Sequence, residues 1–238
     1  MAYYIGCSGY HYNDWRGKFY PEDLKKEEWL EYYTEHFNTV EINNTFYQIP
    51  EKKTLKEWMK TTPKDFRFAV KGSRYITHMK KLKDPEEHLD NFYEGIEALM
   101  DKTEIILWQL PGNLHKNKEK IENFCDLLNK DFKNVIEFRH KSWFDEEIYE
   151  LLAKYDVISC SLSAPDDLPE ELEDRTGTSY LRFHGKKEWY DYNYSKRELE
   201  KWSKKIEDSE AKDHYVYFNN DHEAHSAENA QTLKELLV

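Results

Sequence analysis

The sequence predicts an α/β fold of the TIM (β/α)8-barrel class, with eight parallel strands, and three observations lead to this prediction. Short apolar runs alternate with longer amphipathic segments along the whole chain, as strands alternate with helices. The 238 residues suit one domain of eight strand–helix units, so a single domain over residues 1–238 is expected. No Gly-x-Gly-x-x-Gly pattern follows the first apolar run, which disfavours the competing doubly wound open sheet.

The eight predicted strands are short runs rich in β-branched and aromatic residues. They are Tyr3–Cys7, Thr39–Ile42, Phe66–Val70, Ile105–Gln109, Val135–Phe138, Val157–Ser161, Tyr180–Phe183 and Tyr215–Phe218. Because strands that alternate with helices run parallel, we expect all their carboxyl ends at one end of the domain.

The helices predicted between the strands follow the period of about 3.6 residues that an amphipathic helix has. They are Lys25–His36, Thr54–Lys60, Pro85–Met100, Lys118–Asn129, Phe144–Lys154, Ser195–Ile206 and Ala227–Leu237. Ser195 and Glu198 have the spacing of a capping box. The sixth helix is predicted to be reduced or absent, because residues 163–178 are acidic and contain two prolines.

Composition and charge narrow the classes of protein to which the chain can belong. A formal net charge of −12 disfavours broad binding to nucleic acid or to anionic membranes. Cys7, Cys125 and Cys160 are odd in number and widely spaced, which disfavours a disulfide framework and a zinc ribbon. The start of the chain lacks the pattern of a signal peptide, and no run approaches the roughly 20 apolar residues of a membrane span. We therefore expect a cytoplasmic protein with reduced thiols and no membrane partner.

Charged residues occupy one face of several predicted strands. Side chains alternate across a strand, so Glu41 faces away from Val40 and Ile42, which should meet the helices. The inward set predicted in this way comprises Glu41, Arg67, Lys71, Glu137, Arg139, Arg182 and His184. Burying an unpaired charge costs several kcal/mol, so these groups are expected to form internal salt bridges or to bind a ligand at the carboxyl-end mouth.

Six motifs in order resemble the YecE-like family, a TIM-barrel family of unknown function. They are VEINNTFYQIP, FAVKGSRYITH, LWQLPGNL, VIEFRHKSWF, YLRFHGKKEWYDYNYSKRELEKW and YFNNDHEAHSAENA, and the resemblance runs from about Ile5 to Leu236. It implies a barrel with a polar pocket built from these motifs. It implies no reaction, so every role proposed for a residue depends on that residue's chemistry.

The predicted pocket contains more cations than carboxylates, although the whole protein is acidic. Because the arginine fork suits carboxylate and phosphate, we predict a small anionic ligand bearing one of these groups. Asn219 and Asn220 precede the last helix, where barrels of this class often hold a phosphate; ordinary turn and cap chemistry is the alternative. The residues predicted to bind the ligand are Asn43, Lys71, Gln109, Arg139, Trp143, Arg182, Asn219 and Asn220.

Catalysis at neutral pH requires a group that gains or loses a proton there. His184 is the first candidate, and Glu137 and Glu41 are the others, as bases or as groups that orient their neighbours. A metal site built from Asp221, His222, Glu223 and His225 is disfavoured, because the two histidines are three residues apart rather than four. We predict no metal there and a solvated loop, and no cofactor is assigned.

Aromatic and basic residues after several strands support an alternative, a protein that binds or processes nucleic acid through an aromatic–basic rim. These residues include Tyr10, His11, Tyr12, Trp15, Arg16, Tyr47, Arg74, His78, Lys80, Lys81, Lys83, Trp189, Tyr190, Tyr192 and Tyr194. A non-catalytic ligand-binding barrel is a third possibility.

Overall fold

The computed structural model describes residues 1–238 and contains nine β-strands, all paired in parallel. They are β1 (Ala2–Cys7), β2 (Thr39–Ile42), β3 (Arg67–Lys71), β4 (Thr103–Gln109), β5 (Lys133–Glu137), β6 (Val157–Ser159), β7 (Ser161–Ser163), β8 (Thr178–Phe183) and β9 (Asp213–Phe218). One sheet has four strands in the order β1-β9-β8-β7, and the other has five in the order β2-β3-β4-β5-β6. The predicted α/β class with parallel strands is confirmed.

The predicted count of eight strands is wrong, because the sixth predicted strand is divided between the two sheets. Ser159 pairs with Ile136 in β5, whereas Ser161 pairs with Leu181 in β8. Cys160 lies between the two ladders, and its backbone N–H donates to the Ile136 carbonyl at 2.9 Å. The strand therefore changes its partner at this residue and carries the chain from one sheet to the other.

The prediction of a closed barrel is also wrong, because β1 and β2 share no continuous ladder. Their pairing is limited to an isolated bridge between Ser8 and Glu41. The Tyr33 hydroxyl lies between these strands, accepting from the Cys7 N–H at 2.8 Å and donating to the Thr39 carbonyl at 3.0 Å. A side chain thus completes the hydrogen bonding that a ladder supplies elsewhere.

Eight α-helices connect the strands, and their positions follow the predicted amphipathic segments with one addition. They are α1 (Trp29–His36), α2 (Asn44–Tyr47), α3 (Lys52–Thr61), α4 (Glu86–Ile96), α5 (Lys118–Leu127), α6 (Glu146–Lys154), α7 (Lys196–Glu207) and α8 (His225–Leu237). The addition is α2, a single turn within the INNTF motif. Ser195 and Glu198 form the predicted capping box, and residues 164–177 contain no helix, as predicted.

Alternation along the strands produces two apolar clusters on opposite faces of the sheets. The larger has 49 buried residues, among them Val40 and Ile136 from the strands and Phe124 from a helix. The smaller has 12 buried residues, among them Leu107 and Val135. The faces predicted from the period of two are therefore present, and the smaller cluster occupies the face that also carries the charged residues.

Arg67 lies apart from the other charged residues. It is the first residue of β3, and its Nε lies 3.5 Å from the Glu104 carboxylate. Lys133 also contacts Glu104, at 3.5 Å, and Asp213, at 3.1 Å. The expectation that Arg67 belongs to the carboxyl-end group is wrong, because it starts its strand whereas Lys71 ends it.

The three cysteines are buried free thiols. No helix of the molecule has both the length and the apolar character that crossing a lipid bilayer demands.

Candidate functional site

Arg182 is the centre of a buried group of polar side chains at the carboxyl ends of the strands. Its Nη1 donates to Glu137 Oε2 at 2.5 Å, and its Nη2 donates to Glu41 Oε1 at 2.6 Å and to Ser8 Oγ at 2.8 Å. Because Arg182 is in β8 while the two glutamates are in β2 and β5, these bonds join the two sheets. We refer to Ser8, Glu41, Gln109, Glu137, Arg139, Arg182 and His184 as the carboxyl-end cluster.

Glu41 is satisfied entirely by protein donors, which accounts for the polar residues of the VEINN motif. Its Oε2 accepts from the Tyr180 hydroxyl at 2.6 Å, and its Oε1 accepts from Ser8 as well as from Arg182. Asn43, two residues further along, donates to Ser8 Oγ at 3.0 Å. The Ser8 hydroxyl therefore accepts from two side chains and donates to the carboxylate, which is its full hydrogen-bonding capacity.

Glu137 is surrounded by four donors or potential donors. Its Oε1 accepts from Arg139 Nε and, at 3.0 Å, from Gln109 Nε2, and it lies 3.3 Å from His184 Nε2. Burial opposes ionisation of this carboxyl, but the charges of Arg139 and Arg182 outweigh burial and hold the pKa of Glu137 well below its usual range. Glu137 is therefore ionised and fully paired at neutral pH.

His184 is buried with both ring nitrogens engaged. Nε2 lies 3.0 Å from Arg139 Nη2 and 3.3 Å from Arg182 Nη1, and Nδ1 lies 3.0 Å from the Asn219 carboxamide. Two guanidinium groups face Nε2 and the amide nitrogen of Asn219 faces Nδ1, so donors approach both ring nitrogens. Burial, then the charges of Arg139 and Arg182, lower the pKa of His184 well below its ordinary value. His184 is thus a neutral imidazole that helps to orient Arg139.

Arg139 is the member of the cluster that reaches towards solvent. Its guanidinium lies over the Trp189 ring at 4.2 Å, and 12% of its side chain is exposed. Nε and Nη2 bond to Glu137 and His184, which leaves Nη1 without a protein acceptor. Arg139 is therefore fixed on one edge and free to donate from the other.

Lys71 ends β3 next to the cluster and has no anionic partner. Its Nζ lies 4.2 Å from the centre of the Phe46 ring and makes no hydrogen bond or ion pair. Burial, followed by the Arg182 charge, lowers the pKa of Lys71 to about 7. The two carboxylates that would otherwise neutralise Lys71 already bind the two arginines.

Asp221 has a buried carboxyl oxygen, although the sequence pattern predicted a solvated loop at this position. Its Oδ1 is inaccessible and has no hydrogen-bond partner. Burial raises the pKa of Asp221 to about 8. A signal was available, because Tyr217, Asn219 and Asp221 have the spacing of residues on the inward face of one extended segment.

His222 and Glu223 are exposed, as predicted for a solvated loop, whereas Ala224 is buried. Glu223 pairs with Lys18 at 3.1 Å. No group of three or more His, Cys, Asp or Glu side chains anywhere in the molecule is arranged to hold a metal ion.

Trp143 and Asn220, both predicted to bind the ligand, bond to other parts of the molecule instead of to the carboxyl-end cluster. Trp143 is fully buried, stacks on Phe138 with ring centres 4.8 Å apart, and donates to the Leu114 carbonyl at 2.6 Å. Asn220 donates to the Tyr192 carbonyl at 2.6 Å and to the Asn229 side chain at 2.9 Å, which attaches β9 to α8. Both side chains support loops and helices rather than facing the cluster.

A cavity of about 380 Å³ opens beside the cluster. Asn43 lines it and links it to Ser8, whose hydroxyl belongs to the cluster. Its other lining residues are Gly9, Tyr10, His11, Tyr12, Ile42, Asn44, Thr54 and Trp58. Three of the aromatic side chains predicted to form a rim therefore do border a cavity.

The family model described as "Protein of unknown function DUF72" matches residues 4–238. The chain belongs to the DUF72 family. A DUF72 family protein from Thermotoga maritima is 32% identical with a TM-score of 0.89, and the match covers 100% of this chain and 99% of that chain. The UPF0759 protein YunF of Bacillus subtilis (strain 168) is 28% identical over 98% of this chain and 94% of YunF.

A shorter match connects the chain with YecE, the protein after which the family resembled by the six sequence motifs is named. The UPF0759 protein YecE of Escherichia coli (strain K12) is 30% identical over 116 residues, which are 48% of this chain and 43% of YecE. The predicted family is thus confirmed. These names state no reaction, so any function for this DUF72 protein has to be argued from its own side chains.

Proposed function

We propose that this DUF72 protein is an enzyme that binds a small carboxylate- or phosphate-bearing compound at the carboxyl-end cluster. One observation carries the proposal: Arg139 Nη1 in this cluster and Lys71 Nζ at the end of β3 are donors that have no protein acceptor. An anion that accepts from both nitrogens would satisfy them. Such charge-assisted hydrogen bonds are stronger than neutral ones.

The other residues of the carboxyl-end cluster would hold Arg139 in a fixed position. Arg182 pairs with both Glu41 and Glu137, and all three are fully buried, so they favour a fixed position for Arg139 rather than direct contact with a ligand. This assigns positioning roles to His184 and the glutamates, which the sequence suggested as proton-transfer groups. Lys71, whose pKa lies near neutrality, is the better candidate to move a proton.

The test is a titration with inorganic phosphate or sulfate, monitored by calorimetry. Arg139→Met should weaken binding about tenfold or more, because a charge-assisted bond is lost. Arg175→Met is the matched control, since Arg175 also lies over an aromatic ring, that of Tyr149, and pairs with a glutamate far from the cluster. Equal phosphate affinity in the wild type, Arg139→Met and Arg175→Met would overturn the proposal.

A second candidate function is binding of single-stranded nucleic acid, which an exposed aromatic rim favours. Tyr47, Tyr75 and Met79 are 71%, 39% and 64% exposed. Arg74 lies over the Tyr47 ring at 5.6 Å and Lys80 over the Tyr75 ring at 5.7 Å, as in surfaces that stack bases. The segment from Tyr75 to Met79 is a π-helix, a feature often found at functional sites.

The net charge of −12 opposes this second candidate. Contacts from Arg74 and Lys80 to phosphates would make its binding weaken as salt rises. A fluorescent oligothymidylate distinguishes the two functions. Tyr47→Ala together with Tyr75→Ala should abolish its binding while leaving phosphate affinity unchanged. No binding of the oligonucleotide at low salt rules the second candidate out.

A further inference from the structure

Two lysines of the molecule are buried to the same extent but have opposite surroundings. Lys71 and Lys102 are each 8% exposed. Lys102 Nζ donates to the Met59 carbonyl at 2.9 Å, the Thr62 carbonyl at 2.7 Å and Thr62 Oγ1 at 2.9 Å. Lys71 Nζ has no such acceptor and faces the Phe46 ring. Burial lowers the pKa of both lysines, and only Lys102 has acceptors that offset the effect.

Burial is the main cause that favours the neutral amine of Lys71, and nearby charges of both signs act on it. Arg182 and Arg139 oppose its protonation, whereas Glu137 and Glu41 favour it. Each of these carboxylates is bonded to an arginine. The nearby imidazole of His78 adds no charge, because burial, then the charge of Lys71, lowers the pKa of His78 to about 4.

The backbone around Lys71 is fixed by close packing. The Thr45 hydroxyl donates to the Lys71 carbonyl at 2.7 Å, and Phe46, beneath the amine, belongs to the same short helix. Gly72 leaves no room for a side chain, since a Cβ there would lie 2.2 Å from the Trp108 ring. The base of the Lys71 side chain is therefore fixed at the end of its strand, with the amine against the Phe46 ring.

We propose that Lys71 is a nucleophile that forms an imine with an aldehyde or ketone bearing a carboxylate or phosphate group. This deepens the function proposed above and rests on it for the anionic group, which Arg139 would bind. A desolvated lysine beside other cations is a recognised form of activated amine. Lys71 combines that environment with a place within the field of Arg139, whose Nη1 has no protein acceptor.

The step is balanced without any oxidant or reductant. The neutral Lys71 nitrogen attacks the carbonyl carbon and forms a C–N bond, giving a carbinolamine. The carbonyl oxygen then leaves as water, taking with it the two hydrogens of the amine, and a C=N bond remains. Because the nitrogen lone pair is needed, the reaction depends on the amine being unprotonated near neutral pH.

The test uses pyruvate as the anionic probe and acetone as its neutral counterpart, each with sodium cyanoborohydride at pH 7. The reductant converts an imine into a stable secondary amine, which peptide mass mapping locates. Pyruvate should label Lys71 about ten times faster than exposed lysines such as Lys52 and should leave Lys102 unlabelled. Lys71→Arg should lose this label while keeping its melting temperature, and Lys71→Met provides a second unreactive variant if the arginine disturbs packing.

Arg139→Met separates the two proposals. If both hold, this variant loses the preference for pyruvate over acetone but retains slow labelling of Lys71 by acetone. Labelling of Lys71 with no preference for pyruvate in the wild type overturns the anionic substrate and leaves the nucleophile standing. Absence of label on Lys71, with phosphate binding still dependent on Arg139, overturns the nucleophile and leaves the proposed function standing.

Discussion

Arg182 shows at the scale of one residue how the neighbours of a side chain decide its role. From the sequence it is one of several cations available to an anion. In the fold it is fully buried and binds Glu41, Glu137 and Ser8, so its charge is already neutralised. A buried pair of this kind contributes little relative to apolar residues, yet removing one partner leaves an uncompensated charge.

We therefore expect Arg182→Met to unfold far more easily than the wild type. The loss should be about 3–5 kcal/mol, because Glu41 and Glu137 would remain buried without their shared partner. Urea unfolding followed by circular dichroism measures it. Adding Glu41→Gln and Glu137→Gln to Arg182→Met should recover part of the loss. A single-variant loss below about 1 kcal/mol would show that the cluster is not held by these pairs.

Asp221 provides a test of pH dependence. Burial raises its pKa to about 8, above the value of about 3.9 in an unfolded chain, so the folded state holds this proton more tightly. Its contribution to stability is therefore complete below about pH 4 and is lost as the pH rises through about 8. Asp221→Asn, which stays neutral, should gain stability over the wild type across this range.

The difference between the folded and unfolded pKa values of Asp221 limits the gain in stability of Asp221→Asn to about 5 kcal/mol. Because Asp221 is partly exposed, the expected gain is smaller. Urea unfolding at pH 5, 7 and 8.5 measures it in both proteins. Glu223→Gln is the control, since Glu223 is exposed in the same loop. A constant difference between the wild type and Asp221→Asn at all three pH values would contradict the expected titration.

At the scale of elements, the boundary between β1 and β2 depends on a helix. Tyr33 in α1 places its hydroxyl between the strands and satisfies the Cys7 N–H and the Thr39 carbonyl. Gly6 permits this approach, because a Cβ at that position would lie 2.3 Å from the Thr39 carbonyl oxygen. The opposite boundary needs no such device, since Cys160 joins the sheets through the chain itself.

Tyr33→Phe should accordingly lose about 1–3 kcal/mol, because a buried N–H and a buried carbonyl are left without partners. The neighbouring Tyr32 is the control. It packs against Phe19 and His36, but its hydroxyl has no protein partner, so Tyr32→Phe should change stability by less than about 0.5 kcal/mol. Similar stabilities for the two variants would show that the tyrosine bridge does not hold the sheets together.

At the scale of the whole molecule, the alternation of strands and helices along the sequence predicted the α/β class correctly but wrongly predicted that the sheet closes into a barrel. The apolar periods of two and about 3.6 residues are local properties, so strands such as β2 and helices such as α5 lie close to their predicted positions. Closure depends on which backbone groups meet at the sheet edges. No local sequence pattern shows that the sixth predicted strand divides at Cys160, or that the Tyr33 hydroxyl bridges β1 and β2.

The same distinction applies to the candidate site. Alternation along single strands predicts that Glu41, Glu137, Arg139 and Arg182 share the inward face, and the structure brings them together. It does not predict how their charges pair. The predicted excess of cations is largely removed by those pairs and by the neutral state of His184, which leaves Lys71 as the group without a counter-ion.

The amino-acid sequence alone thus determined the family, the order of strands and helices, and the strand face on which each ionisable residue lies. These follow from motifs and from the period of a few neighbouring residues. Only the tertiary structure decided that the strands form two sheets, that Arg182 is neutralised and that Lys71 and Asp221 are desolvated. The reason is physical: charge pairing and burial depend on groups from distant segments, and no local period encodes the distances between them.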